Sequence, residues 1–401
     1  MASRQGGDVT PAAILGVLGT RGLCSRTELA RLLGVSPATI TTATKELVAR
    51  SLIREVADES SRGGRPARLL GLVKEAGKAV GVKVSADHVS LVVVGLDGAV
   101  DSLSTYPLDA TEPRALDGLA RIVHEAVASQ PGRLLGVGVG VPGSVDSQES
   151  GVVTAPTLGW SALPVGARLR SELGIPVLVD NDVNTLAAAE QVHGIGLECR
   201  SYLVVTIGRG VGGGIVVDGV VQRGSTGGAG EIGHLPVQLD GPVCECGGRG
   251  CLESLIGEAA LVAMARQSGL IPKDGTVATL QEEAAAGNAG CAALFRQAGA
   301  LLGLAVAGVV HCVDPEIVVI QGEGVVAWPA WSAGFEESFR GHLMGRRRGI
   351  PFLVRPWSEQ EWARGAASLV LAAPFDSSGT SGEQGRLVRA RLQRHPEVSS
   401  R

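Results

Sequence analysis

The sequence predicts an α/β body preceded by a winged helix-turn-helix, and two observations support this. Within the first seventy residues, short helical segments end at glycine or begin at a capped proline, which is typical of a helix pair joined by a tight turn. From Ala79 onward, apolar segments rich in glycine alternate with helical ones, as strands do with helices in α/β domains. We expect a DNA-binding domain over residues 1–78, a ligand-binding body over 79–375 and a disordered basic tail over 376–401.

The first region contains the helix pair. Ser25 is placed to cap a helix that ends at Gly34, and Ser36-Pro37 begins the next helix. The second helix has an exposed face of small and polar side chains suited to the major groove. With its capping residue, it gives these predicted DNA contacts: Ser36, Thr39, Thr41, Thr42 and Lys45. A helical hairpin with a purely structural role is the alternative.

Two short strands follow, over residues 52–56 and 67–72, and a basic segment lies between them. This pattern predicts a wing whose tip residues Arg62, Gly64 and Arg65 enter a minor groove; a solvated basic loop is the alternative. Residues 1–72 hold ten Lys or Arg against six Asp or Glu, a net +4, whereas the whole chain carries −4 and the remainder therefore −8. Only the first segment is expected to meet nucleic acid.

The overall composition indicates a soluble, globular chain. Of its 401 residues, 45% are hydrophobic and 19% are charged. No leader and no apolar run long enough to span a bilayer is expected, so we predict a cytoplasmic protein with no membrane partner. Seven cysteines, three of them clustered, favour a reducing compartment with one metal site over a disulfide framework.

The clustered cysteines predict a zinc site. Cys244, Cys246 and Cys251 lie within eight residues, and His234 precedes the first of them by ten positions. Three thiolates and an imidazole complete a tetrahedral Zn²⁺ set, which leaves no open position for a reactive water. We therefore predict a structural zinc ion; reduced cysteines without a ligand are the alternative.

The zinc segment also carries a family resemblance. Gly230-Glu231-Ile232-Gly233-His234 followed by the cysteine loop resembles the signature of the ROK family (repressors, open reading frames and sugar kinases). The wing resembles that of ROK repressors of the xylose and N-acetylglucosamine type. Further matches lie between about Gly81 and Ala367, including Gly140-Val141-Pro142-Gly143, Asn181-Asp182-Val183-Asn184 and Gly210-Val211-Gly212-Gly213-Gly214. The resemblance implies an actin-like, ribonuclease H-like body with two lobes and a cleft.

The resemblance also implies a sugar site. In ROK kinases the matching positions hold the hydroxyls of a hexose, and Asp182 stands where the catalytic base removes a proton. His234 can use one ring nitrogen for zinc and the other for a sugar hydroxyl. The implied sugar-binding residues are Gly143, Asn181, Asp182, Glu231, His234 and Glu253.

The phosphate half of the kinase site is altered. Where ROK kinases have Asp-x-Gly-Gly-Thr, this chain has Lys83, with Ser85 and Ala86 in place of the glycines, and Arg209 replaces a common threonine. An ammonium group cannot ligate Mg²⁺, which needs oxygen ligands. We predict a regulator of carbohydrate metabolism without enzymatic activity. Lys83 and Arg209 leave open an anionic effector such as a sugar phosphate.

The predicted regulator binds a double-stranded operator and responds to a sugar or sugar phosphate. An operator of roughly palindromic sequence calls for a homodimer or a dimer of dimers. The alternative is an active ROK sugar kinase that carries a DNA-binding domain.

Overall fold

The computed structural model describes residues 11–57, 68–375 and 382–393. The chain divides into two compact units, a first unit of Met1–Glu198 with Trp362–Arg401 and a second unit of Cys199–Glu361. Each unit contains a five-stranded sheet, which confirms the predicted α/β class.

The N-terminal region folds as a winged helix. Ser25 accepts a hydrogen bond from the Glu28 amide at 3.2 Å, and Gly34 ends the helix with a left-handed φ of 68°. Its elements are α1 (Pro11–Arg21), β1 (Cys24–Ser25), α2 (Arg26–Leu33), α3 (Pro37–Ala49), β2 (Ile53–Ala57) and β3 (Arg68–Leu72). The two wing strands β2 and β3 pair antiparallel, as predicted. The wing tip, with Arg62, Gly64 and Arg65, lies outside the described residues.

The body part of the first unit contains a five-stranded sheet and several helices. Its elements are β4 (Lys78–Val84), β5 (His88–Gly95), β6 (Val100–Pro107), α4 (Ala115–Ala128), β7 (Leu134–Val141), β8 (Ser144–Val145), β9 (Val152–Ala155), β10 (Trp160–Pro164), α5 (Val165–Leu173), β11 (Val177–Asn181) and α6 (Asp182–His193). The strand order in the five-stranded sheet is β11-β7-β4-β5-β6. Strands β4 and β5 pair antiparallel as a hairpin. Helix α6 begins at Asp182, because the Asn181 side chain caps it.

The second unit contains a second five-stranded sheet and a group of helices. Its elements are β12 (Tyr202–Ile207), β13 (Val211–Val217), β14 (Val220–Val221), α7 (Glu253–Ile256), α8 (Glu258–Gln267), α9 (Val277–Ala285), α10 (Ala289–Val313), β15 (Ile317–Gln321), α11 (Trp328–His342) and β16 (Phe352–Val354). The strand order in this sheet is β14-β13-β12-β15-β16.

Helix α10 bears on the expectation that no apolar run is long enough to span a bilayer. Among the described residues it is the one helix long and apolar enough to cross a membrane by length and composition. Half of its most apolar window is buried inside the unit, where Phe295 and Leu302 belong to the core. The central helix of a globular core passes the same test of length and composition.

Two C-terminal helices pack in the first unit. Helix α12 (Gln360–Ala372) approaches the first sheet so closely that a methyl group added at Gly81 would lie 1.9 Å from the Ala363 carbonyl oxygen. Helix α13 (Gly382–Gln393) buries Val388 and Leu392. The prediction of a disordered tail over 376–401 is therefore wrong for residues 382–393, because these apolar side chains find a partner surface that the local sequence does not reveal.

One hydrophobic cluster joins the winged helix to the body within the first unit. It contains Ile14 and Leu18 of α1, Ala188 of α6, Ala363 of α12 and Leu392 of α13, all less than a tenth exposed. The boundary at residue 78 therefore stays a prediction about sequence regions, since the core is continuous across it.

Candidate functional site

The end of β11 and the start of α6 position two of the predicted sugar-binding residues. Asn181 accepts hydrogen bonds from the amides of Val183 and Asn184 at 2.9 and 3.2 Å, and so caps α6. Its Nδ2 donates to the Gly143 carbonyl at 2.9 Å. This fixes the loop after β7 to the helix start, and it brings Gly143, Asn181 and the adjacent Asp182 together.

Asp182 forms a buried ion pair that the sequence did not predict. Lys83 Nζ, near the end of β4, contacts Asp182 Oδ2, and both residues are 9% exposed. Asp182 Oδ1 accepts from the Val183 amide at 2.9 Å. The Lys83 ammonium also lies 4.9 Å from the centroid of the Trp362 ring, a cation–π distance. Both carboxylate oxygens of Asp182 therefore have a donor.

The remaining predicted sugar residues lie in the second unit. Glu231 and His234 lie at either end of a short 3₁₀ turn, with Glu231 Oε2 3.9 Å from His234 Nε2. The turn packs tightly on β13, because a methyl group added at Gly230 would lie 1.9 Å from the Gly213 carbonyl oxygen. Glu253, the first residue of α7, accepts from the Val211 amide at 2.8 Å.

Carboxylates line the segment Gly208-Arg209-Gly210, which matches a phosphate-binding loop of ROK kinases. Besides the bond from Val211, Glu253 approaches Gly210, where an added methyl group would lie 2.7 Å from Oε2. Glu323 lies next to Gly208 in the same way, at 2.2 Å from such a methyl group. Backbone amides that cradle phosphate in kinases meet anionic side chains here.

The predicted metal ligands converge on one point. One ligand atom from each of His234, Cys244, Cys246 and Cys251 lies within 4.8 Å of all the others. His234 Nδ1 is 3.5 Å from Cys244 Sγ, and Cys246 Sγ is 3.7 Å from Cys251 Sγ. Bonds of about 2.0–2.3 Å to a tetrahedral zinc ion put neighbouring ligand atoms about 3.5–3.8 Å apart. The donor set and its spacing therefore fit a metal ion.

The thiols of this cluster differ in acidity. A hydrogen bond with the backbone of Gly248 lowers the pKa of Cys246, whereas burial and the neighbouring cysteines raise the pKa of Cys251 to about 12. A buried thiolate next to two others is stable only with a compensating cation. The cluster thus has the electrostatics of a cation site.

The candidate DNA-binding helix α3 has the capped start that the sequence predicts. Ser36 accepts from the Thr39 amide at 3.1 Å, and its hydroxyl is 2.8 Å from that of Thr39. Thr41 and Thr42 donate to backbone carbonyls one turn back, so their methyl groups and hydroxyl lone pairs remain for a partner. Lys45 and Thr42 are exposed.

Salt bridges fix α2 and the wing to each other. Glu55 of β2 binds Arg26 of α2 at 2.7 Å and Arg68 of β3 at 2.6 Å. Arg26 also donates to Thr44 of α3 at 3.1 Å. These contacts lower the pKa of the Glu55 carboxyl, and the hydrogen bond from Arg26 is the largest cause.

Comparison with known proteins identifies the body and the N-terminal region separately. A model of the ROK family matches residues 79–373, and a model of the MarR family matches residues 8–63. The chain belongs to the ROK family. Its actin-like, two-lobed fold class with a winged helix-turn-helix is thereby confirmed.

Relatives of this ROK protein include named regulators. The xylose repressor of Caldicellulosiruptor bescii is 27% identical over 317 residues, which cover 74% of this chain and 79% of that protein. The DNA-binding transcriptional dual regulator NagC of Escherichia coli K12 is 28% identical over 376 residues, which cover 90% and 92%.

Solved structures include a regulator and a kinase. A ROK family transcriptional regulator, a homolog of the E. coli MLC protein, has a TM-score of 0.78 at 25% identity and covers 95% of this chain and 98% of its own. A ROK glucokinase of Streptomyces griseus, in complex with glucose and AMPPNP, has a TM-score of 0.65 at 28% identity and covers 73% and 99%. The ROK body alone is thus common to regulators and kinases, so the residues of the site must separate the two.

Sequence reasoning missed two features of this ROK site. The substitution at Lys83 was visible, but its partner Asp182 is 99 positions away. Trp362 is in none of the family motifs quoted above, and only the packing of α12 on the first sheet brings it to Lys83.

Proposed function

We propose that this protein is a sugar-responsive, DNA-binding transcriptional repressor of carbohydrate metabolism that does not catalyse phosphoryl transfer. The observation that carries the proposal is the buried pair of Lys83 and Asp182 in a ROK body joined to a winged helix. It removes the chemistry of a kinase while it keeps the polar groups of a sugar site. The similarity to repressors supports the same conclusion.

The argument against phosphoryl transfer is chemical. A general base must take a proton from the attacking hydroxyl, and here a cation, the Lys83 ammonium, contacts the Asp182 carboxylate that would take it. The nucleotide needs Mg²⁺ held by oxygen ligands, and an ammonium stands at the first phosphate position. The glucokinase resemblance favours a kinase as the second candidate.

A coupled assay with ATP and common hexoses and pentoses separates the two candidates. We expect no turnover above background for the full-length protein. Robust turnover that disappears in Asp182→Asn would establish the kinase and refute the regulator.

The proposed DNA contact uses α3 and the wing. A dimer would set two recognition helices against half-sites about one helical turn or a multiple of it apart, with Thr39, Thr41, Thr42 and Lys45 facing the major groove. Because its target is the genome, we place the protein in the cytoplasm. The zinc ion is proposed to be structural and to keep His234 oriented.

Operator binding tests the DNA assignment directly. We expect Lys45→Ala in the full-length protein to weaken operator binding and to reduce the salt slope by about one. Lys273→Ala, an exposed lysine of the second unit, is the matched control and should leave both unchanged. If the Lys45 and Lys273 variants bind the operator equally well, Lys45 of α3 does not contact the DNA and the assignment of α3 is wrong.

A further inference from the structure

The buried ion pair of Lys83 and Asp182 lies next to Asn181, another of the predicted sugar residues in the first unit. Lys83 Nζ contacts Asp182 Oδ2, the Val183 amide donates to Oδ1 at 2.9 Å, and the Trp362 ring lies 4.9 Å from the ammonium. An ammonium has three N–H donors and a carboxylate has about four lone-pair positions. The pair therefore keeps both donors and acceptors for a further ligand, while its two charges cancel.

We propose that the effector is an uncharged sugar and that Lys83 is one of its ligands. In this arrangement one sugar hydroxyl accepts from the Lys83 ammonium and donates to the Asp182 carboxylate. Hydrogen bonds to charged partners are shorter and stronger than those between neutral groups, and a chain of them is mutually reinforcing at a buried site. The inference rests on the proposed function and adds to it the ligand class and a further binding residue.

Ser90 supports a polar ligand at this place. It lies directly opposite Lys83 in the antiparallel pairing of β4 and β5, so the two side chains share one face of the sheet. Ser90 is 2% exposed, and its hydroxyl has no hydrogen-bond partner among the described residues. Buried hydroxyls are normally paired, so a ligand hydroxyl or a water near Lys83 would satisfy it.

The same geometry disfavours a sugar phosphate. Phosphate sites rely on cationic side chains or backbone amides that are not already paired with another anion. A phosphate that reached Lys83 would also meet the Asp182 carboxylate, which is in contact with the same ammonium. Like charges placed together select against a ligand. The anionic effector that the sequence left open is therefore the weaker alternative.

Matched sugars test this with the full-length protein. Calorimetry compares D-glucose with glucose 6-phosphate and N-acetylglucosamine with its 6-phosphate, and D-xylose is measured alone. We expect at least one free sugar to bind, and its phosphate ester, where there is one, to bind at least about tenfold more weakly. Lys83→Met should weaken the free sugar by about tenfold or more. Lys78→Met, on the same strand but paired with Asp101 instead of Asp182, is the control and should bind like the native protein.

Each contrary outcome has its own meaning. Tighter binding of an ester, lost in Lys83→Met, would make Lys83 an anion site and overturn the inference while the sugar sensor stands. Unchanged sugar affinity in a folded Lys83→Met protein would make Lys83 structural. Should that variant unfold, Lys83→Met with Asp182→Asn removes both charges and is compared with Asp182→Asn alone; equal affinities overturn the inference. If none of these sugars binds, the proposed function fails as well.

Discussion

His193, the last residue of α6, shows how one buried side chain sets a pH dependence. Its ring lies beside Gly98, where an added methyl group would be 2.8 Å from Cε1, and the buried Nε2 has no hydrogen-bond partner in the described part of the chain. Burial, followed by the charge of Arg364, lowers its pKa from 6.5 to about 4. The folded protein therefore holds this imidazole neutral at pH values where an unfolded chain protonates it.

The sign of the effect follows. Since the folded-state pKa is depressed, the stabilisation is complete above pH 6.5 and is lost as the pH falls toward 4. We expect His193 to account for a loss of about 2 kcal/mol in unfolding free energy between pH 7 and pH 5. Urea unfolding at both pH values measures it. In His193→Leu this part of the loss should vanish; an unchanged pH dependence would contradict the assignment.

Single residues also show what sequence can and cannot predict. Asn181 and Asp182 lie where β11 ends and α6 begins, and a local pattern of apolar residues followed by Asp-Asn-Asp marks that position in the sequence. The pairing of Asp182 with Lys83 depends on the parallel neighbours β4, β7 and β11. Strand order is a long-range property, and no local pattern in β4 reveals it.

At the scale of elements, α13 is the clearest difference from the sequence prediction. The Arg50 side chain at the end of α3 donates to the Gln393 carbonyl at 2.9 Å, and Arg133 donates to Leu392 at 3.2 Å. Composition alone suggested a disordered basic segment, because a stretch rich in serine and glycine precedes several arginines there. The partners of α13 lie hundreds of positions away, so its order could not be predicted locally.

A pair of leucines in α13 tests its packing. Leu392 is 2% exposed and Leu387 is 43% exposed. Leu392→Ala should lower the free energy of unfolding by about 2–4 kcal/mol, since it leaves a cavity in the shared cluster. Leu387→Ala, on the same helix, should change it by less than about 0.5 kcal/mol. Denaturant unfolding of both variants decides; equal effects would mean that α13 does not dock.

The metal loop is a second element with a matched test. We expect about one zinc ion per chain in the native protein, and its loss in Cys246→Ser, since three ligands remain from a closed set. Cys312→Ser changes an exposed cysteine outside the cluster and should keep the metal. Elemental analysis with protein quantification measures both. Zinc retained in Cys246→Ser would refute the ligand assignment, and metal lost from both variants would point to a different cause.

For the whole molecule, the continuous core of the first unit changes the view of two separate domains. The sequence predicted a winged helix and an α/β body as distinct regions, and both exist. Their common hydrophobic cluster joins Ile14 and Leu18 of α1 to Ala188 of α6. It was not predictable, because these residues are far apart in the sequence and no local pattern links them. Helix α6 therefore begins at Asp182 in the proposed sugar site and packs, six residues later, in the cluster shared with the winged helix.

This shared helix gives the sensor hypothesis a physical route. Six residues of α-helix span about 9 Å, so a ligand that shifts the start of α6 acts on the packing of α1. A sugar changes operator affinity only to the extent that it binds the DNA-competent and DNA-incompetent states differently. Couplings of about 1–3 kcal/mol are typical and correspond to about 5- to 150-fold in affinity.

We expect the bound sugar to shift operator affinity within that range, and Asp182→Asn to abolish the shift. Fluorescence anisotropy with labelled operator, with and without saturating sugar, measures it at one fixed salt concentration. Without sugar, Asp182→Asn should bind operator like the native protein, because Asp182 is outside α3 and the wing. A sugar that binds in an Asp182-dependent way yet leaves operator affinity unchanged would show that the body is not a sensor, since binding at the start of α6 would then have no effect on the winged helix packed against it.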